Sequence, residues 1–367
     1  MDGAVAEAPG SIQTTVNALK AYVKQEDCAV ASESLLALDE IIIEYQGLTD
    51  LRPFTGFANL LYLDLEGNAI TDLRPLAVLT GLRELTISAN PVVDISPVTQ
   101  LPVLDMLIMW GTKVVDFTSV PDLRTITYLN VGANNLEDFS FVADMPSLQS
   151  LYVTDNKISD ISPASYLPNL TTLNFDGNLV KDISSLRTMN NLIYLYFDRN
   201  QVEDLSPLSG LTNLRRISAA QNTIRYILAL TPLKKLNVLI LGSNRIRYLF
   251  PLAAHVELLS LDLSNNQIED IEDIQNLTKV RDLRLNNNTI RDLSALRNLT
   301  EIQYLYLWDN PISNGQIART DDNCPIEGEI SELVREFCTS QAIAPRKKIL
   351  PHKRQAPKRS IQTFSAR

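Results

Sequence analysis

Hydrophobic and polar positions repeat along this chain with a period of 22 residues. Asparagine occupies eleven positions of this grid, and Gln46 and Thr112 occupy the other two. The asparagines are Asn68, Asn90, Asn134, Asn156, Asn178, Asn200, Asn222, Asn244, Asn266, Asn288 and Asn310. An aliphatic residue lies five positions before every grid position, and another lies two positions after it. This register predicts thirteen equivalent structural repeats.

One unit, residues 60–79 with the sequence LLYLDLEGNAITDLRPLAVL, shows what each repeat is built from. Leu63 and Leu65 alternate with polar or aromatic residues, which is the period of a short strand with one buried face. Asn68 follows at the predicted turn, where its amide can both donate to and accept from backbone groups that stacking removes from water.

The second half of each unit predicts a short helical turn on the opposite side. Asp72 precedes the segment LRPL, where its carboxylate can cap the turn, and Pro75 is tolerated in the first residues. Aspartate occupies this position in ten of the thirteen units. Because one unit cannot bury its apolar edge alone, the units are expected to stack into a right-handed solenoid with parallel strands, spanning roughly 58 Å.

The repeated segment NxIxDLxPL resembles the leucine-rich repeat family, in particular its 22-residue class. This class occurs in bacterial internalin-like proteins and in phosphatase-regulatory proteins. The resemblance covers residues 40–312 and implies an α/β fold: a concave parallel sheet of about thirteen strands, short 3-10 or α turns on the convex side, and caps. Residues 1–39 are predicted to form a helical N-terminal cap, 313–344 a C-terminal cap, and 345–367 a basic, disordered tail.

The cysteines bear on the caps and on the cellular compartment. Cys324 and Cys338 flank a predicted amphipathic helix and resemble the cysteine pair that closes leucine-rich repeat arrays in exported bacterial proteins. The resemblance implies a disulfide, with two reduced, buried thiols in a cytosolic protein as the alternative. Cys28 is expected to pack within the N-terminal cap.

Charge argues against nucleic-acid binding by the folded part. The chain carries 33 basic and 43 acidic residues, and eight of the basic residues lie in residues 345–367, which hold no acid. The remainder therefore has a formal charge of −18, which repels phosphate backbones. The basic tail could contact an anionic polymer, a lipid, a nucleic acid or the acidic body itself.

Residues suited to catalysis or metal binding are few. Of the two histidines, His255 replaces a Leu, Phe or Met of the other repeats, which favours a structural role, and His352 lies in the tail. There is no glycine-rich phosphate loop, so we predict no enzymatic activity, no cofactor and no metal. Asp176 and Asp198 are expected on successive strands, where they could share a proton or hold Ca²⁺, but a solvated acidic ridge is favoured.

Strand residues that point away from the core lie six, four and two positions before each grid position. These columns contain both tryptophans and seven of the twelve tyrosines of the chain. The predicted partner-binding residues are Tyr62, Met106, Ile108, Trp110, Tyr128, Tyr152, Tyr194, Tyr196, Tyr304, Tyr306 and Trp308. Acidic residues surround them at Asp64, Glu66, Glu84, Asp176, Asp198 and Asp262.

This face resembles the ligand-binding faces of internalin-like adhesins, which implies a protein partner that is basic or apolar at the contact. Alternatively, the tyrosines only stack on one another along the sheet. The predicted function is a non-enzymatic recognition scaffold. The other hypothesis is a structural or assembly component, in which the array is a rigid spacer and the caps or tail make the contacts.

The N-terminus lacks the basic and apolar blocks of a secretion signal, and no apolar stretch reaches 18 residues. We expect a secreted, periplasmic or cell-envelope protein whose leader has been removed, with a cytoplasmic protein as the alternative.

Thr112 stands where the other repeats have asparagine. Its hydroxyl is expected to make part of the hydrogen bonds that the asparagine amide would make.

Overall fold

The strands form one open, parallel sheet in which each strand pairs with the next along the chain. The computed structural model describes residues 10–115, 117 and 123–311. The strands are β1 (Glu40–Ile42), β2 (Tyr62–Asp64), β3 (Glu84–Thr86), β4 (Met106–Ile108), β5 (Tyr128–Asn130), β6 (Ser150–Tyr152), β7 (Thr172–Asn174), β8 (Tyr194–Tyr196), β9 (Arg216–Ser218), β10 (Val238–Ile240), β11 (Ser260–Asp262), β12 (Asp282–Arg284) and β13 (Tyr304–Tyr306). The predicted solenoid of thirteen parallel strands is confirmed.

On the opposite side, each winding whose turn is described forms a short 3-10 turn. The described turns are Arg52–Gly56, Arg74–Val78, Ser96–Gln100, Ser140–Asp144, Ser162–Tyr166, Ser184–Thr188, Ser206–Gly210, Leu228–Leu230, Phe250–Leu252, Glu272–Ile274 and Ser294–Asn298. The core fills the space between the turns and the sheet. Equivalent leucines of successive strands pair in register, as in Leu85, Leu107 and Leu129, and all three are fully buried.

A ladder of asparagine side chains, all buried except the half-buried Asn266, joins successive windings after eleven of the thirteen strands. Asn156 shows its geometry: Oδ1 accepts the N–H groups of Asn134 and Leu136 at 3.0 and 2.9 Å. Its Nδ2 donates to the carbonyls of Val131 and Val153, both at 3.1 Å. Each amide therefore satisfies backbone groups of two adjacent windings that water cannot reach.

Thr112 takes part in this ladder. Its hydroxyl Oγ1 donates to Asn134 Oδ1 at 2.7 Å, so the residue fills the grid position as expected, although with fewer hydrogen bonds than an amide.

The residue before each grid position adopts the left-handed backbone conformation. This holds in all thirteen units, and only three of these residues are glycine. The other ten have φ between 52° and 59°, a conformation that costs a non-glycine residue roughly 1 kcal/mol. This sharp turn comes directly before the asparagine, whose side chain then bonds to two windings, as Asn156 does.

The aspartates that precede the 3-10 turns act as predicted. Nine of them in the described residues accept the backbone N–H two residues further along at 2.7 to 2.9 Å. In two adjacent units the position is filled by Tyr226 and Tyr248 instead.

Two helices, α1 (Gly10–Tyr22) and α2 (Cys28–Leu36), lie against the first winding. Leu19 and Leu35 are buried in the common core, and the Thr15 hydroxyl donates to the Asp50 carbonyl at 2.6 Å. Every helix in the described part of the chain is too short or too polar to span a lipid bilayer.

Cys28 corrects one expectation, since it is exposed rather than packed. It is the first residue of α2, and the buried face of that helix begins only at Ala31. Residues 312–367, with Cys324, Cys338, the predicted C-terminal cap and the tail, lie outside the described residues.

His255 lies in the core of its repeat, at the position of the leucine in its neighbours. Its ring is fully buried, and Nε2 lies 3.0 Å from the Leu230 carbonyl oxygen, to which it donates. Nδ1 has no hydrogen-bond partner in the described structure. Burial lowers the pKa of His255, although the bond to Leu230 opposes the shift.

We expect Asn156→Ala to lower the free energy of unfolding by about 3 kcal/mol, because it leaves buried backbone N–H and C=O groups without partners. Urea denaturation followed by circular dichroism measures this. Asn298→Ala removes an exposed asparagine and should change stability by less than about 0.5 kcal/mol. Equal effects of the two substitutions would contradict the proposed role of the ladder.

We expect the contribution of His255 to stability to fall as the pH drops below about 6.5, because the unfolded chain binds a proton at His255 more readily than the folded one. His255→Leu removes this component. Between pH 7.5 and 5.5 the variant should therefore lose less stability than the wild type. Thermal unfolding at both pH values measures the difference. Leu233→Met changes the equivalent position of the preceding repeat and should leave the pH dependence unaltered.

Candidate functional site

The concave face consists of the strand side chains that lie six, four and two positions before each grid position. On β4, Leu107 and Met109 are fully buried, whereas Met106 and Ile108 between them are half-buried and Trp110 is 46% exposed. The strand therefore alternates between core and surface as predicted. All three of its surface positions, Met106, Ile108 and Trp110, have apolar side chains that the core does not require.

These residues form the centre of the β4 patch, which we define as Met106, Ile108, Trp110, Tyr128 and Tyr152. Met106 pairs with Tyr128 across the sheet, and the rings of Tyr128 and Tyr152 lie 5.2 Å apart at 33°. Burial raises the pKa of both tyrosines, which keeps their phenols neutral. The predicted stacking of tyrosines along the sheet thus occurs for this pair.

Gly132 determines where the indole of Trp110 lies. A Cβ atom at Gly132 would come within 2.6 Å of both Trp110 Cδ1 and Thr154 Oγ1. The indole therefore packs across the neighbouring winding instead of projecting away from it. Sequence reasoning missed Gly132, although a glycine one repeat after a tryptophan in the same surface column was a usable signal.

A second group, the β13 patch, consists of Tyr304, Tyr306 and Trp308. The rings of Tyr306 and Trp308 meet edge to face at 5.1 Å, and Trp308 is 47% exposed. The Arg284 guanidinium lies 5.1 Å from the centre of the Tyr306 ring and 3.1 Å from Asp282 Oδ2. Nine strand spacings, roughly 43 Å, separate this patch from β4.

The remaining predicted residues belong to neither patch. Tyr194 and Tyr196 lie together on β8, and the Arg216 guanidinium is 5.3 Å from the Tyr196 ring centre. Tyr62 on β2 is separated from Met106 by Glu84 on the intervening strand. The eleven residues predicted from the sequence therefore do not form one continuous surface.

Asp176 and Asp198 do not form the expected solvated ridge, because both are half-buried and hydrogen-bonded. Asp176 Oδ1 accepts the N–H of Asp198 at 2.6 Å, and Asp198 Oδ1 accepts the N–H of Ala220 at 2.7 Å. Burial, together with the nearby charge of Asp198, raises the pKa of Asp176 to about 6. The negative charge of the concave face therefore decreases in mildly acidic solution.

Glu44, Asp64 and Glu66 are the three carboxylates that approach one another at the start of the sheet, with oxygens within 4.8 Å. Asp64 Oδ1 already accepts the N–H of Glu66, and Glu66 Oε1 accepts the Tyr45 hydroxyl. Two of these carboxylates thus already accept hydrogen bonds from neighbouring groups of the first windings.

We expect Gly132→Ala to displace the Trp110 indole, because the added methyl group occupies the space against which the ring packs. Trp110 should become more exposed, which red-shifts the tryptophan fluorescence and increases its quenching by acrylamide. The measurement is made in a Trp308→Phe background so that only Trp110 contributes. Gly210→Ala, at a glycine whose Cβ would meet nothing within 4 Å, is the control and should leave the spectrum unchanged.

Comparison with known families and structures agrees with this geometry. Models of leucine-rich repeats match residues 58–73, 146–188 and 257–277. No curated protein matches the chain at the sequence level. Among solved structures, an internalin (inlF) of Listeria monocytogenes is 30% identical, covers 84% of this chain and 86% of its own length, and superposes with a TM-score of 0.64.

Two more distant structures share the fold. The functional domain of InlJ from Listeria monocytogenes is 22% identical over 81% of this chain and 69% of its own, with a TM-score of 0.65. A plant peptide hormone receptor, RGFR1 in complex with RGF2, is 20% identical over 75% of this chain and 48% of its own, with a TM-score of 0.62. Given the identity to inlF over most of both chains, this protein belongs to the internalin-like leucine-rich repeat family.

Proposed function

We propose that this protein is a non-enzymatic recognition scaffold that binds a protein partner through its concave face. The β4 patch is the main anchor, and the β13 patch is a second contact that a large partner reaches at the same time. The family relation supports this proposal, as does the peptide bound to the structurally similar plant receptor. The relation to an internalin also supports action at or outside a bacterial cell envelope.

The observation that carries the proposal is the exposure of Trp110 beside two further apolar side chains on one strand. Exposed apolar surface is unfavourable in water, and covering it releases about 25 cal/mol per Å². Tryptophan and tyrosine are the residues most often responsible for binding energy at protein interfaces. Met106 and Ile108 extend the apolar area around the indole.

The charge of the concave face indicates the chemistry of the partner. Half-buried carboxylates line it at Asp176, Asp198 and Asp262, and Glu66 lies near its first strands. A partner that is basic around an apolar centre would neutralise these charges and cover the aromatic rings. Such complementarity acts mainly on specificity and on the rate of association.

The test is affinity capture of a partner from host-cell or environmental extracts, followed by calorimetric titration of the purified partner. We expect Trp110→Ala to weaken binding at least tenfold, or about 2 kcal/mol, and Trp110→Ala with Trp308→Ala to weaken it further. Circular dichroism should show an unchanged fold.

Tyr166→Ala is the control, since Tyr166 is an exposed aromatic residue on a convex 3-10 turn. It should leave the affinity unchanged. If both tryptophan variants bind as tightly as the wild type, the partner uses another surface and the proposal is wrong.

A further inference from the structure

Two adjacent repeats break the pattern of the solenoid on the flank between the strands and the 3-10 turns. The aspartate before the turn is replaced by Tyr226 and Tyr248, which are 72% and 64% exposed. Two residues later, where the other units carry Arg, Ser, Thr, Glu or Gln, these units carry Leu228 and Phe250, which are 61% and 58% exposed. We call these four side chains, with Arg225, Arg245 and Arg247, the flank patch.

These replacements do not stabilise the array. Neither tyrosine can accept the backbone N–H that the aspartates accept elsewhere, and the loss of such a cap costs about 1 kcal/mol per turn. Exposed Leu and Phe contribute nothing to the core of their own repeat. Four exposed side chains that stacking does not require therefore occupy equivalent positions of two consecutive windings, and the two tyrosines border one groove.

Arginines line the other side of the same surface. Arg225, Tyr226, Arg245, Arg247, Tyr248 and Gln267 border an open groove of about 500 Å³. Arg225 lies 3.6 Å from Glu203, and the Arg247 Nε donates to Gln267 at 2.8 Å. In the described structure, Arg245 and Arg247 have no carboxylate within ion-pair distance. The groove is thus a basic, aromatic site on an acidic body.

We propose that the flank patch is a second interaction surface, which binds an extended segment of a protein partner carrying carboxylates beside aromatic or aliphatic side chains. The carboxylates pair with Arg245 and Arg247 in a charge-assisted, bidentate manner, and the apolar side chains cover Tyr226, Leu228, Tyr248 and Phe250. A polyanionic saccharide would satisfy the arginines but leave the apolar half uncovered. An anionic membrane would be repelled by the charge of −18 on residues 1–344.

This surface is separate from the concave face, so the two sites are tested independently. The probe is a displayed library of random twelve-residue peptides, selected on the full chain and counter-selected on a consensus variant. That variant, Tyr226→Asp, Leu228→Ser, Tyr248→Asp and Phe250→Ser, installs the residues of the preceding repeat, Asp204 and Ser206, in both units. It regains two caps, so its melting temperature should equal or exceed that of the wild type.

We expect the selected peptides to be acidic and apolar. Measured by fluorescence anisotropy, their affinity should fall at least tenfold for the consensus variant. For Arg245→Gln with Arg247→Gln it should fall at least fivefold, with a weaker dependence on salt. Trp110→Ala with Trp308→Ala should bind them as the wild type does, which separates this site from the concave face.

Other outcomes overturn the proposal. These are the absence of peptides that survive counter-selection, enrichment of basic or uncharged peptides, and equal affinity for the consensus variant. Self-association of the wild type that the consensus variant loses in analytical ultracentrifugation would assign the surface to a second copy of the chain. Binding to phosphatidylserine vesicles that the consensus variant loses would assign it to a membrane.

Discussion

The structure depends on one constraint: every turn that follows a strand must have its buried backbone groups satisfied. The asparagine ladder meets this constraint, because one amide accepts N–H groups from the preceding winding and donates to carbonyls of two windings, as Asn156 does. A residue inserted between the strand and the asparagine would move the amide out of reach of these groups. The ladder therefore fixes the register of each strand and of the turn that follows it.

The 22-residue register distinguishes positions whose side chains stabilise the array from positions that can vary. Ladder residues and buried aliphatics repeat in every unit, so departures in the other columns need another explanation. Two groups of departures stand out, the apolar residues of β4 on the concave face and the flank patch around Tyr226 and Tyr248. The first lies on a face that carries carboxylates, with Glu84 beside Met106, and the second lies beside arginines, so the two surfaces suit contacts of opposite charge.

Much of the fold could be predicted from the sequence because each repeat of a solenoid contacts mainly its neighbours. The strands, the buried columns, the role of Thr112 and the exposure of both tryptophans follow from the spacing alone. Features that depend on contacts between particular side chains could not be predicted from the spacing. The dependence of the Trp110 indole on Gly132, the hydrogen-bonded state of Asp176 and the exposure of Cys28 required the packed structure.

The sequence by itself determined the repeat, its length, its core and the columns that face outward, because equivalent residues must occupy equivalent places in a stack of identical windings. Only the tertiary structure decided which outward residues share a surface. Neighbouring strands, about 4.8 Å apart, bring Met106 and Tyr128 together but hold Trp308 roughly 43 Å from β4. The 22-residue period shows whether a residue faces the core or the surface of its repeat. Which surface residues are neighbours depends on the distances between windings and on the direction of each side chain.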